Sequence, residues 1–228
     1  MASYHIARDY YLVRSVYHFT HIKNLASILK GGVLQPDAAV ADRNDYADPS
    51  IKQQRRLLKV SVEPFGHLGD YAPFYFTPQS PMLAVVATRN IQGVPPIRQA
   101  HLAIIQLNFE PNEDAIINGS SSIVTSKHPL SRGVLIAKAT PNNIKKLVNW
   151  KVIYSSNRWS VQGVYPDEWQ RLRQAELLVH GGLQINGANL LIFVRTDAAL
   201  MKVENLIKES GHEVNVEANE KYFHHHLP

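Results

Sequence analysis

The chain of 228 residues has no cysteine. Without thiols there can be no disulfide framework, no thiolate metal site and no cysteine nucleophile, and the composition fits a reducing cytoplasm. No apolar run approaches the roughly 20 residues needed to cross a bilayer. The opening stretch MASYHIARDYYLVRSV lacks both the long apolar segment and the small-residue cleavage site of a secretory signal. A cytoplasmic protein without a membrane anchor is therefore expected. Internal repeats, low-complexity tracts, a clear linker and a glycine-rich phosphate loop are also missing. Hydrophobic residues make up 45% of the chain, enough to bury a real core, and one domain spanning 1–228 is expected.

Acidic residues are the minority among the charged ones: 24 Lys and Arg face 19 Asp and Glu, a formal charge of +5 at pH 7. Such a balance favours an anionic partner, whether nucleic acid, nucleotide phosphates or a membrane surface.

In YHFTHIKNLASILKGGVL (17–34), two histidines, Tyr17, Phe19 and Thr20 crowd into five residues. Leu25, Ile28 and Leu29 then recur at helical spacing, and Gly31 and Gly32 provide a stop. The pattern predicts a helix from about Asn24 to Lys30, with Thr20 available as a cap. His18, Thr20 and His21 would lie beside the positive end of that helix. Residues 36–50, PDAAVADRNDYADPS, read as a loop, in which Asn44, Asp45 and Tyr46 could form a lid. IKQQRR reads as a basic turn or helix leading into a strand-like segment, PFYF as a strand, and SPMLAVVATR as a helix with proline near its start. HLAIIQLNF, GVLIA, WKVIY and NLLIFVR read as strands. DEWQRLRQAELLV has Trp169, Leu172 and Leu177 at near-helical positions and then an apolar run, ALMKVENLIKES reads as an amphipathic helix, and HEVNVEANEKYF as a closing strand. The elements are mixed without βαβ alternation, which points to an α+β fold.

Several residues could carry chemistry. Arg55 and Arg56 suit either a solvated basic turn or a guanidinium fork on a phosphate. Tyr71, Phe74, Tyr75 and Phe76 suit core packing or a stacking wall for a planar ring. Glu176, followed by Leu177, Leu178 and Val179, is a carboxylate at the edge of an apolar strand, which must be paired or functional because burying it alone is costly. His128 reads as a surface loop histidine. The run His224 to His226 reads as a disordered tail rather than a metal site, and no metal is expected.

Together, the order of YHFTHIKNLASILKGGVL, IKQQRR, LGDYAPFYFTPQSPML, RQAELLV and the terminal KYF resembles the DarT family of DNA-modifying ADP-ribosyltransferase toxins, over about Val16 to Phe223. The resemblance implies an ADP-ribosyltransferase-like fold, two small packed β-sheets forming an NAD cleft flanked by helices. NAD would be consumed as co-substrate, with nicotinamide expelled through an oxocarbenium-like transition state. Glu176 matches the catalytic glutamate, and Arg55 the essential arginine, with Arg56 one register away. His18, Thr20, His21 and Asn24 fall on the NAD-binding opening motif, while Tyr71 and Tyr75 would wall the nicotinamide side. His128 matches a family histidine and would contact the acceptor, although the motif stands here as Ser126-Lys127-His128 rather than Asp-Gly-His or Asp-Gly-Asn. SSNRWSVQGVYPDEWQRLRQ corresponds to the acceptor-selecting loop, and its Arg158, Trp159, Arg171 and Arg173 suit the phosphates and bases of a strand. A base must be unstacked to react, so single-stranded DNA is the implied substrate, modified at thymine before guanine. A macrodomain antitoxin is the implied partner, and the chain is expected to be a monomer. Transfer to RNA or protein, or a non-catalytic nucleic-acid-binding module, are the alternatives that the sequence leaves open.

Overall fold

YHFTH is not a polar prelude to a helix but the body of a strand, β1 (Ser15–His21). In the computed structural model, which describes residues 15–40, 48–89, 95–110, 112–155, 163–185, 190–225 and 227, helix α1 (Ile22–Gly31) follows it directly. The helix starts at Ile22 rather than Asn24 because His21, not Thr20, caps it: the His21 Nδ1 accepts from the Lys23 N–H at 3.1 Å. Gly32 ends it in the left-handed region at φ 64°, donating to the Leu29 carbonyl, a conformation that residues with a Cβ rarely adopt.

There follow β2 (Val33–Leu34), α2 (Pro49–Leu57), β3 (Tyr71–Tyr75), α3 (Pro81–Thr88), β4 (Leu102–Asn108), β5 (Ile116–Ile117), β6 (Ser120–Thr125), β7 (Ile136–Lys138), α4 (Pro141–Leu147), α5 (Trp150–Ile153), α6 (Pro166–Arg173), β8 (Glu176–His180), β9 (Leu183–Gln184), β10 (Leu190–Val194), α7 (Asp197–Ser210) and β11 (Asn215–Ala218). Among the described residues, nine strands form one sheet, eight of them in the order β11-β10-β4-β1-β3-β8-β6-β5 and β7 beside β6, and β2 and β9 form a separate ribbon. The sheet has a seam. Strand β1 pairs with β4 along its whole length, Ser15 to His21, but meets β3 only at Tyr17↔Tyr75. The result is two half-sheets hinged at one residue pair, the form in which the expected two-sheet α+β architecture appears.

Alternation along the strands sorts their side chains onto two faces. On one face Val16, Phe74, Ile105, Leu177 and Ile192 belong to a single core shared with α1, α4 and α7. On the other face the apolar packing is divided. Phe19, Ile104 and Phe193 pack with Leu83, Val86 and Phe223 on the first half-sheet. Tyr71, Ile123 and Leu178 pack with Val60 and Leu68 on the second.

Three expectations need correction. WKVIY is not a strand: its first four residues form the short helix α5, because the Asn149 side chain accepts from the Val152 N–H at 3.2 Å and the guanidinium of Arg173 collects the carbonyls at its end. Local capping overrides the β-branched composition. The segment after α2 makes an isolated bridge, Lys59↔His67, rather than a strand. The C-terminal histidines are not a free tail, since the His224 N–H donates to Gln99 Oε1 at 2.8 Å and its ring Nε2 to the Ser80 carbonyl at 3.1 Å. His226 lies outside the described residues. Among the described residues no group of side chains could hold a metal ion, and no helix is long and apolar enough to cross a membrane.

Candidate active site

Glu176 is the first residue of β8. Its N–H donates to the Thr125 hydroxyl at 2.9 Å, and Tyr75 of β3 lies opposite it. At 1% exposure, its carboxylate needs a partner, because an isolated buried charge is heavily penalised. That partner is Arg55, whose Nη1 donates to Oε2 at 3.0 Å and Oε1 at 3.3 Å. Arg55 projects from α2, a helix that contributes no buried residue of its own. The other terminal nitrogen of Arg55, Nη2, is buried and has no hydrogen-bond partner among the described residues. A buried donor left unsatisfied is costly, so its edge is chemically suited to an incoming polar or anionic group. Arg56 turns elsewhere, donating from Nε to Asp37 Oδ2 at 3.0 Å. Of the two neighbouring arginines, Arg55 is the one that meets the carboxylate.

His128 borders this pair. It is half-buried, and its N–H donates to the Arg171 carbonyl at 2.8 Å. Lys127 pairs with Glu168 at 3.0 Å, so the segment after β6 is fastened to α6 at two points. Burial pushes the His128 pKa below its ordinary value; Glu176 opposes that shift and Arg55 adds to it. A neutral imidazole beside a carboxylate and a guanidinium can accept a proton at neutral pH.

The opening motif divides by strand alternation. His18 and Thr20 share the parity of Val16, on the large-core face, whereas Tyr17, Phe19 and His21 share that of Tyr75 and Glu176. The expectation that His18, Thr20 and His21 all face one ligand is corrected accordingly. His18 bridges the seam, its Nδ1–H donating to the Pro73 carbonyl at 2.9 Å where backbone pairing has stopped. Thr20 and Asn24 are buried, with the Asn24 amide donating to the Thr20 hydroxyl at 3.2 Å, which ties β1 to α1. His21, half-buried beside His101, has its pKa lowered by burial first, and then by His101 and Lys23.

The tyrosines also differ. Tyr75 is half-buried and stacks on Phe19 with ring centroids 6.0 Å apart. Tyr71 is 1% exposed, its hydroxyl donates to the Phe65 carbonyl at 2.5 Å, and burial pushes its pKa to about 12. It supports the second half-sheet from within rather than walling a ligand.

Of the residues expected to meet DNA, Arg171 is exposed, its side chain 3.8 Å from Glu168. Arg173 is a structural residue: buried, it donates from Nη1 to the carbonyls of Val152, Ile153 and Ser155 at 2.8, 3.2 and 3.2 Å, and its guanidinium lies over the Trp169 ring. Arg158 and Trp159, like Asn44, Asp45 and Tyr46 of the expected lid, lie outside the described residues. Sequence reading missed Thr125, which fixes the backbone of Glu176, and Asp37 and Gly69, which meet α2. Their partners are distant in sequence, and no local motif announces them.

A family model described as "ssDNA thymidine ADP-ribosyltransferase, DarT" matches residues 17–224. A protein of Thermus sp. strain 2.9 named DNA ADP-ribosyl transferase is 32% identical over 172 residues, covering 72% of this chain and 74% of its own. The fold is shared with Thermus sp. 2.9 DarT solved in complex with ADP-ribosylated single-stranded DNA, at a TM-score of 0.74 and 24% identity over 92% of this chain and 96% of that one. The same Thermus protein solved with NAD+ gives a TM-score of 0.70 at 24% identity, over 92% of this chain and 98% of that one. Thermosipho africanus DarTG in complex with ADP-ribose gives 0.66 at 22% identity, covering 92% of this chain and 51% of that one.

Proposed function

The chain belongs to the DarT family, and from that premise we propose that it is an NAD-dependent ADP-ribosyltransferase acting on single-stranded DNA, on thymine before guanine. NAD is its consumed co-substrate. The observation that carries the reading is the buried Arg55–Glu176 pair, with one guanidinium nitrogen that has no partner among the described residues, beside the seam between two half-sheets.

In the proposed reaction the bond between ribose C1′ and nicotinamide breaks, and its electron pair leaves with nicotinamide. Positive charge then builds on C1′ and the ring oxygen. The Glu176 carboxylate, held by Arg55 on a backbone that Thr125 fixes and shielded from water, stabilises that charge more strongly than it would in water. A nitrogen of the unstacked base gives its electron pair to C1′ and loses its proton, which either Glu176 or the neutral His128 can accept. Arg55 holds the carboxylate in line with Nη1 and offers Nη2 to NAD or the acceptor base. Tyr75 and His21 line the face of the seam where NAD would lie, with His18, Thr20 and Asn24 holding the seam from behind. Arg171, with Arg158 and Trp159 of the preceding segment, would guide the strand through phosphate contacts and stacking.

The same reading makes residues 1–228 one catalytic domain, a monomer working in the cytoplasm as the toxin of a toxin–antitoxin pair. Its partner would carry a macrodomain that removes the ADP-ribose; the DarTG name borne by the Thermosipho neighbour supports such a partner. The test is incubation with NAD and short single-stranded oligonucleotides of differing sequence, read by mass spectrometry. Thymine-containing strands are expected to gain one ADP-ribose each and nicotinamide to appear in equal amount. Modification of RNA or of the protein itself, with every DNA strand unchanged, would overturn the assignment of the acceptor.

A further inference from the structure

The helix that carries Arg55 is anchored by charge rather than by apolar packing. No residue of α2 is buried, yet Arg55 must reach a carboxylate that is. Lys52 and Arg56, one helical turn apart and so on the same side of α2, converge on Asp37 in the short 3-10 turn Asp37–Ala39. The Lys52 Nζ lies 3.0 Å from Asp37 Oδ1, and Arg56 reaches Oδ2 at 3.0 Å from both Nε and Nη2. The side chains of Lys52 and Asp37 are 14% and 15% exposed, so this attraction is only weakly screened by solvent. Behind Arg56, Gly69 lets α2 approach closely: a Cβ built there would stand 3.0 Å from Arg56 Cγ and 3.2 Å from its Cα.

We propose that Asp37 is a positioning residue for Arg55, acting through Lys52 and Arg56 to hold α2 at the distance and rotation from which the guanidinium meets Glu176. This rests on the reading of Arg55 and Glu176 as catalytic. Three cations, Lys52, Arg55 and Arg56, lie within five residues and repel one another. Asp37 neutralises the outer face of that cluster as Glu176 neutralises the inner one. Without Asp37, Lys52 and Arg56 gain by turning to water, and α2 has no buried apolar residue to resist the movement.

The test compares wild type, D37N and D37E by hydrogen exchange of residues 49–57 and by steady-state transfer to DNA. A second disruption, Lys52→Gln with Arg56→Gln, removes the same clamp from its other side. D37N and the double variant are expected to speed exchange in α2 at least about tenfold, leave β8 unchanged, and lower kcat by about 10- to 100-fold. D37E should keep most of both properties. Unchanged exchange in α2 in both disrupted proteins, or loss of activity with α2 still protected, would overturn the proposal. Exchange does not depend on catalysis, so a wild type that fails to modify DNA would sink the functional reading while the clamp was still decided.

Discussion

Arg55 and Glu176 stand 121 residues apart in sequence and meet at 3.0 Å. One arrives on a peripheral helix, the other on the first residue of an interior strand. The pair is almost wholly removed from solvent on the carboxylate side, at 2% exposure against 13% for the arginine. Removing one partner strands the other.

The first prediction concerns that coupling. Arg55→Ala or Glu176→Ala should each destabilise the fold by about 3 kcal/mol, because each leaves an uncompensated buried charge. The double variant should cost clearly less than the two added together. Chemical denaturation of the four proteins checks this. Glu176→Gln, which keeps the shape and one acceptor, should lose at least about a hundredfold in transfer rate while remaining folded. Additive stability losses would mean that the two side chains are energetically independent.

The second uses pH. The pKa values of His128 and His21 are both held below the ordinary 6.5, burial being the first cause in each. The unfolded chain therefore binds protons that the folded chain refuses in the window just below pH 6.5, and stability must fall as pH drops through it. Melting temperature should be nearly flat above pH 7 and decline below 6.5, with His128→Asn removing part of the slope. Transfer should weaken over the same descent but lag behind it, because His128 stays neutral below pH 6.5. A rate that rises on acidification would mean that the histidine works protonated.

The third separates two arginines of α6 that sequence reading treats alike. Arg173→Lys keeps the charge but loses the flat guanidinium over the Trp169 ring and the placement of Nη1 against the α5 carbonyls, and should cost about 2 kcal/mol of stability, with the salt dependence of single-strand binding unchanged. Arg171→Gln should leave the melting temperature alone and reduce the slope of log affinity against log salt by about 0.7. The reverse pattern would return Arg173 to the nucleic-acid surface.

These predictions reflect what the sequence made legible. Glu176 stands out because a carboxylate directly before Leu177, Leu178 and Val179 contradicts their apolar pattern, and such contradictions concentrate at functional sites. YHFTH misleads in its period: its aromatic and β-branched content belongs to a strand, and a strand shows alternate residues to opposite faces, so neighbours in sequence cannot all serve one ligand. WKVIY misleads because its β-branched content is overridden by the Asn149 cap just before it, and because the Arg173 guanidinium that takes the carbonyls at its end lies outside the local window. SSSIVT escaped notice because its serines mask a buried strand, made tolerable by the Ser122 hydroxyl donating to the Ala115 carbonyl at 2.7 Å. Asp37, Gly69 and Thr125 act only through residues brought near by folding, which composition and spacing do not encode.

The last prediction tests how finely Arg55 must be placed. Gly69→Ala adds one methyl against the Cα and Cγ of Arg56, at 3.2 and 3.0 Å. The Arg56 side chain can swing aside, but its Cα belongs to the helix backbone, so α2 must retreat by a few tenths of an ångström. The backbone at position 69 is not in the left-handed region, and alanine there restricts the unfolded chain in a way that favours folding by about 0.4–1 kcal/mol. Stability should therefore change by less than about 1 kcal/mol, contact strain and this gain opposing each other. Transfer rate responds to geometry instead, and should fall about tenfold with little change in KM for NAD, since misplacing the guanidinium weakens the transition state more than the ground state. Unaltered kcat in a folded Gly69→Ala protein would show that Arg55 reaches Glu176 with slack to spare, and that α2 need not be held closely against the turn at Gly69.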